Sequence, residues 1–397
     1  MSDGERAPHL CMVALTAYPV LAGRRDLREL GGAQVQQVMT ARALVQAGAR
    51  VSFVCMDYGQ AEEEVIDGIR VVRSFAPEAG WRGVRFFHPR WSGLRAALRR
   101  ADAPVYYQRC AGMATGLVAH WCGQTGRRFI YAGASDLDFQ PGPPNVRGRR
   151  DRWLFTRGLR AADAVVVQNP RQLAALRALH GREGVLIPSC YFAPAPAAAQ
   201  PPSAVGNGST VVAEGAEVLW VGMIRRVKRP DRFLALARAL PHLRFRMIGG
   251  PMGDSDEVLA YYRDIEAAAR SLPNLTFMGF VPFADVEPWF DRAAVLVNTS
   301  DHEGFPNTFL QVWARGVPSL ALFDTGSRLD GAAPYALAAD DGDLLDQLRT
   351  LMDSPTRRRA LGRLGRRFYD EQHAPAVTAR RYLELLDKLA RDDGHRC

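Results

Sequence analysis

Two α/β domains, each built on a parallel sheet, are what this 397-residue chain predicts. Three observations carry that prediction. Short apolar, β-branched runs alternate with helix-patterned segments along most of the chain. A stretch rich in Pro, Ala, Gly and Ser, residues 193–210, interrupts the alternation near the middle. Beyond it the same alternation starts again. Hydrophobic residues make up 47% of the chain, enough for two cores.

In the first half LCMVALTA (10–17), RVSFVCM (50–56), PVYYQR (104–109), RFIYAGAS (128–135) and AVVVQN (164–169) read as strands. AQVQQVMTARALVQAG (33–48) and RQLAALRALH (171–180) read as helices. After the linker come strands at VLWVGM (218–223), FRMIGG (245–250), LTFMGF (275–280), AVLVNTS (294–300) and SLAL (319–322). Helices fall between them from 230, near 256–271, near 285–292 and at 306–315. The tail from 343 to 392 is helical, with Asp343 and Pro355 as starts. The expected boundaries are 1–192 for the first domain, 193–216 for the linker, 217–375 for the second domain and 376–397 for a closing helix. Each domain is expected to be Rossmann-like, and the two to face a cleft.

Composition narrows the function. The start MSDGERAPHL has two acids and no apolar core, so no signal peptide is expected there. No apolar run approaches the roughly 20 residues that span a bilayer. Six cysteines (11, 55, 110, 122, 190, 397) lie scattered with no C-x-x-C pair, which suggests a reducing, cytoplasmic setting and no zinc site. Residues 1–200 hold 26 Arg and no Lys against 16 acids, an excess of +10; the remainder sums to −1. A basic half suggests an anionic partner. No nucleic-acid module is visible, so nucleic acid is not expected.

The most informative stretch is SDHEGFPNTFLQVWARGVPS, residues 300–319. A strand precedes it and a helix pattern opens near Pro306, which places Glu303 in the loop at the carboxyl end of a parallel strand. In open α/β sheets ligands bind there. With about 100° per residue, Asn307, Thr308, Gln311 and Arg315 fall on one polar stripe of the helix.

Three glycine turns punctuate other strand ends. Gly31–Gly32 opens the first long helix and serves either close backbone approach to a ligand or a mere tight turn. Gly222 ends a strand and is followed by Arg225, Arg226, Lys228 and Arg229. The chain has only two lysines, 228 and 388, against 49 arginines. A lone Lys after a glycine turn suits a phosphate as a compact point charge. Gly249–Gly250 ends a third strand.

Taken together with EGFPNTFLQ, these segments resemble family 4 of the retaining glycosyltransferases. That family has the GT-B fold of two Rossmann-like domains, and the resemblance implies a terminal helix that returns to the first domain. It runs from Gly31 to the final helix and is densest from 218 to 319. It implies catalytic roles for Glu303, against hydroxyls of the transferred sugar, and for Lys228, against the departing nucleotide diphosphate. Gly304, Phe305, Pro306, Asn307 and Thr308 would present backbone groups to sugar and diphosphate. Phe280 and Val281 would flank the base, and Gly250, Gly222, Gly31 and Gly32 would lie about the donor. No metal and no cofactor is implied beyond a UDP- or GDP-sugar as co-substrate.

Two positions depart from the family pattern. Its second Glu is Gln311 here, and the Arg after its glycine is Met223. Gln311 keeps an acceptor for the ribose, and Arg226 is the replacement cation we favour over Arg225. A carboxylate restored at 311 is expected to bring a modest gain in donor binding. A non-catalytic sugar-nucleotide-binding subunit and a GT-B sugar-nucleotide epimerase stay open as alternatives.

Other candidates concern the acceptor. Asp136 ends a strand at the expected cleft and is assigned to the acceptor hydroxyl, beside Ser135; Arg109 meets an acidic acceptor or pairs within the fold. Asp136–Asp138 is one of three D-x-D spacings among 27 Asp, too common to mark a metal site. Segment 81–101 carries six arginines, four large aromatics and no acid. It reads either as a solvated cationic face or as a peripheral contact with the anionic inner face of a membrane. The function expected is transfer of a sugar to an acceptor hydroxyl, lipid-linked or small, in glycan, glycolipid or metabolite biosynthesis.

Overall fold

The computed structural model describes residues 7–24, 31–81, 83–143, 146, 148–193 and 217–392, and for Phe283 and Ala284 the backbone alone. The linker expected at 193–216 lies, beyond Ala193, outside the described residues. Two compact units emerge: Met1–Cys190 with Pro375–Cys397, and Tyr191–Ala374.

The first unit holds β1 (His9–Val13), β2 (Arg50–Cys55), β3 (Glu63–Ile66), β4 (Ile69–Arg73), β5 (Val105–Arg109), β6 (Arg128–Ala132), β7 (Ala164–Val167) and β8 (Val185–Leu186). They line up as β3-β4-β2-β1-β5-β6-β7-β8. All pair in parallel except β3 with β4. β5, β6 and β7 are buried along their whole length and β1 beyond His9, as parallel strands covered on both faces are. The β3–β4 hairpin is absent from the strands expected above. Its signal was Asp67–Gly68, a two-residue turn in which both residues take positive φ, 52° and 77°.

The helices Ser92–Ala101, Met113–Thr125 and Arg149–Ala161 are likewise additional to those expected above. Arg149–Ala161 spends most of its residues on a polar face, and only Leu154, Phe155, Gly158 and Leu159 are buried. The closing helix Pro375–Arg391 belongs to the first unit and packs on Gly32–Gln46. Thr378, Ala379, Tyr382, Leu385, Leu386 and Leu389, spaced three and four apart, form its buried stripe.

The second unit holds β9 (Glu217–Val221), β10 (Phe245–Ile248), β11 (Leu275–Phe277), β12 (Ala293–Asn298), β13 (Ser319–Ala321) and β14 (Ala336–Leu337). Their order is β11-β10-β9-β12-β13-β14, all parallel. From β9 the chain builds outward one way, then returns to build the other way from β12. The carboxyl ends of β9 and β12 are therefore the switch point of this sheet.

Two helix starts shift from expectation. Pro306 caps the helix Asn307–Trp313 rather than opening it. The helix expected from Asp343 begins at Asp341, because the Asp340 side chain accepts from Asp343 N at 2.9 Å. Phe309, Leu310, Val312 and Trp313 are fully buried, and the Trp313 ring is surrounded by Phe305, Tyr335, Phe368 and His373. This aromatic cluster holds the loop that carries Glu303 against the sheet.

Candidate active site

At the switch point the loops after β9 and β12 are stitched together. Asp301 N donates to Val227 O at 2.9 Å, and the buried Thr299 hydroxyl donates to Lys228 O at 2.8 Å while accepting from Trp220 Nε1 at 2.9 Å. Arg229, in the left-handed region at φ 47°, turns the chain into the helix Pro230–Ala239, and its guanidinium pairs with Asp231. Arg232 reaches Asp301 at 2.7 Å from that helix.

Inside this frame Lys228 Nζ forms an ion pair with Glu303 Oε1. Ser300 Oγ donates to the same oxygen at 2.8 Å and Asn298 Nδ2 at 3.3 Å, while Ser300 N donates to Asn298 Oδ1 at 3.0 Å. The Glu303 side chain is 11% exposed and that of Lys228 25%. A largely sheltered carboxylate is thus held by three donors on one oxygen. Asn298 and Ser300 were missed as site residues, although the polar run Asn298–Thr299–Ser300 at the end of an apolar strand signals them.

At the strand ends the glycine turns pack the loops of this sheet against one another. Gly222 N donates to Ile248 O at 3.0 Å, Ile224 N to Gly250 O at 2.9 Å and Gly249 N to Gly279 O at 2.9 Å. A Cβ on Gly249 would fall 1.9 Å from Gly222 O, and one on Gly250 would fall 2.8 Å from Phe280 Cβ. These residues let three loops touch at the strand ends. Phe280 and Val281 are half-buried beside them. The Arg226 guanidinium lies 4.7 Å from the Tyr261 ring centroid, stacked on that aromatic face.

Gln311 is 4% exposed, and its Nε2 donates to Glu287 Oε1 at 3.1 Å. Glu287 Oε2 takes Arg315 Nη2 at 2.8 Å and the Tyr191 hydroxyl; Arg315 also donates to Gln311 O at 2.9 Å. The expectation that a carboxylate at 311 brings a gain is reversed by this geometry, since it would face the carboxylate of Glu287. Glu287 and Tyr191 carry no motif, so only the tertiary structure finds them.

A cavity of about 530 Å³ opens beside Ser300, lined by Asp301, Asp340, Asp341 and Arg232. Three carboxylates against one guanidinium make this cavity unfavourable to an anion.

In the first unit Gly31 caps the helix Gly32–Gln46, and a Cβ there would fall 2.5 Å from Gln34 Oε1. Asp136 Oδ1 accepts from Gln172 Nε2 at 3.0 Å and Asn169 Nδ2 at 3.2 Å. Asp138 is buried, which raises its carboxyl pKa, and it accepts from Ala134 N at 2.7 Å. The two carboxylates of this D-x-D are committed to separate partners. Among the described residues no group of three or more His, Cys, Asp and Glu is placed to hold a metal ion. Arg109 stands at the end of β5, 7% exposed, close to Tyr107 and Tyr382. Its side chain is thus turned into the interior of the unit. The next residue, Cys110, holds a positive φ of 77°, a strained conformation at a strand end.

Two family descriptions match this chain: residues 31–190 as a glycosyl transferase 4-like domain, and residues 215–354 as glycosyl transferases group 1. The chain belongs to the GT-B glycosyltransferases of family 4. It is 29% identical to a D-inositol 3-phosphate glycosyltransferase of Kineococcus radiotolerans across 58% of this chain and 58% of that relative. The match thus spans less than two thirds of the curated relative's length. Among solved structures, a sucrose-phosphate synthase from Thermosynechococcus elongatus superposes with a TM-score of 0.72 at 19% identity, covering 98% of this chain and all of that one. HepE of Anabaena, solved with UDP and glucose, gives 0.69 at 13% identity over 96% and 100%. At these identities the structural likeness speaks to the fold. Among its described residues the chain carries no helix that is long and apolar enough to cross a membrane.

Proposed function

We propose that this glycosyltransferase moves a sugar from a nucleotide diphosphate donor, a UDP- or GDP-sugar, to an acceptor hydroxyl with retention and without a metal. The observation that carries this reading is the convergence of Lys228 and Glu303 at the switch point of the second unit's sheet. The glycosyl–phosphate bond breaks with its electron pair passing to the diphosphate. The acceptor oxygen bonds to the same carbon, and its proton leaves with the diphosphate. Negative charge grows on the leaving group, and the Lys228 ammonium, with three donors, serves Glu303 and a phosphate oxygen together. With Oε1 of Glu303 held by three donors, Oε2 is the oxygen assigned to a sugar hydroxyl.

Gly304, Phe305, Pro306, Asn307 and Thr308 are assigned to the sugar and diphosphate, and Gln311 to the ribose. Arg226 stands in for the cation missing at Met223. In the first unit Gly31 and Gly32 are assigned to the diphosphate and Asp136 to the acceptor hydroxyl. The +10 excess of the first half suits an anionic acceptor, phosphorylated or lipid-diphosphate-linked. The named activity of the Kineococcus relative, on an inositol phosphate, agrees with such chemistry.

The test is turnover of UDP- and GDP-sugars against phosphorylated polyols and lipid-linked acceptors, with the product's anomeric configuration read by NMR. Retention of the donor configuration is expected. An inverted product would overturn the mechanism. Donor binding without turnover across the panel would point to the non-catalytic subunit instead.

A further inference from the structure

Four large apolar side chains stand exposed on two segments of the first unit: Trp81 (85%), Val84 (59%), Phe87 (67%) and Trp153 (60%). Single exposed apolar side chains are ordinary; a group on one unit calls for an occupant. The loop that carries the first three is ordered by its own backbone. Arg85 N donates to Trp81 O at 2.9 Å, Phe87 N to Val84 O at 2.9 Å and Arg90 N to Arg85 O at 3.2 Å. Phe86 and Trp91 pack against the core of the unit, while their neighbour Phe87 remains outside.

Trp153 rides on the helix Arg149–Ala161, which is pressed against Met113–Thr125. A Cβ on Gly158 would fall 2.5 Å from Thr115 O, so the two helices meet backbone to backbone. The two segments are joined by the Arg150 guanidinium, 4.0 Å from the Phe86 ring centroid. Exposed arginines surround the aromatics, among them Arg95 and Arg99 on one segment and Arg149 and Arg157 on the other. No acid occurs between Glu78 and Asp102, and Asp151 is the one acid of the helix.

Rigid tryptophan and phenylalanine rings set among guanidinium groups match the headgroup level of an anionic bilayer. The rings enter the acyl boundary while the cations meet lipid phosphates. We propose that Trp81, Val84, Phe87 and Trp153, with the arginines of both segments, form one surface that seats this protein on an anionic membrane. The arginine-rich loop alone is half of that surface; the helix Arg149–Ala161 supplies the rest. Neither half depends on the glycosyl-transfer chemistry.

The experiment is vesicle flotation of the full chain. Vesicles of phosphatidylcholine with about one third phosphatidylglycerol should carry the protein, and phosphatidylcholine alone should not. Binding should fall at least about tenfold between about 0.05 and about 0.5 M salt. Reversing Arg95, Arg149 and Arg157 to Glu should cost about fivefold or more for each residue. Trp81→Ala/Phe87→Ala/Trp153→Ala should lose about tenfold, with melting temperature and donor turnover unchanged. Equal binding to both vesicles, no binding, or an aromatic variant that binds as well as the parent would overturn the proposal. So would an RNA oligonucleotide that binds more tightly and displaces the vesicles. If a variant fails to melt cooperatively, quenching of the parent's tryptophan fluorescence by brominated lipid decides. Quenching supports the surface and its absence overturns it.

Discussion

The Gln311 amide nitrogen donates to Glu287 Oε1 at 3.1 Å, and Arg315 and Tyr191 hold the other oxygen of that carboxylate. An amide is the side chain this pocket accommodates, because a carboxylate at 311 would meet a carboxylate at hydrogen-bond distance in a buried setting. Gln311→Glu should therefore raise the donor KM about tenfold and lower the melting temperature. Gln311→Ala should raise KM severalfold, from ~1 kcal/mol of lost hydrogen bonding. Adding Glu287→Gln to Gln311→Glu should recover most of the loss, since one carboxylate then faces one amide. Steady-state kinetics and melts of the cycle decide it. A lower KM for Gln311→Glu alone would overturn the pairing.

Glu303 and Lys228 are separated by 75 residues in sequence and joined by an ion pair. Glu303→Ala should reduce kcat by about a hundredfold or more, the scale for losing one preorganised electrostatic group. Lys228→Ala should do the same, and Lys228→Arg should rescue little, because a planar fork does not replace a compact ammonium. KM for the acceptor should move far less. Small, equal effects at 303, 228 and 311 would make EGFPNTFLQ scaffold and remove the catalytic proposal.

Charge on the leaving diphosphate is assigned to Lys228 rather than to an ion. EDTA should accordingly leave turnover unchanged. Activity lost to EDTA and restored by Mg²⁺ or Mn²⁺ would return attention to Asp136 and its neighbours.

His9 lies on β1 with its Nε2 2.9 Å from Ser52 Oγ. Burial, with Arg50 and Arg70 nearby, lowers its pKa from 6.5 to about 4. The folded state thus resists a proton that the unfolded chain accepts near pH 6.5. The stability this contributes is whole above that pH and is lost as pH falls toward 4. The ring is partly exposed, so the loss should be about 1 kcal/mol, a shift of a few degrees in melting temperature. His9→Gln should flatten the difference between melts at pH 7 and pH 5. An unchanged difference would show that His9 does not titrate in this window.

Much of this molecule is readable from local pattern. Strand runs, glycine turns and the Pro-Ala-rich break follow from side-chain periodicity and turn chemistry, which act over a few residues. They place Lys228 and Glu303 at strand ends, and that much the sequence determined by itself. Where local signals were diluted the reading failed: Arg149–Ala161 has only four buried positions among its thirteen, too thin a stripe to stand out. The β3–β4 hairpin, by contrast, has its local signal in Asp67–Gly68.

Which groups meet was decided only by the tertiary structure. The order β11-β10-β9-β12-β13-β14 sets the end of β9 beside the end of β12, and hence Lys228 against Glu303. The same folding brings Glu287 under Gln311, turns Arg109 inward, and lays Arg150 over Phe86. Periodicity tells each segment which face to bury but is blind to its neighbour across the sheet. That choice belongs to the packing of whole helices and strands, where contacts far apart in the chain are formed together.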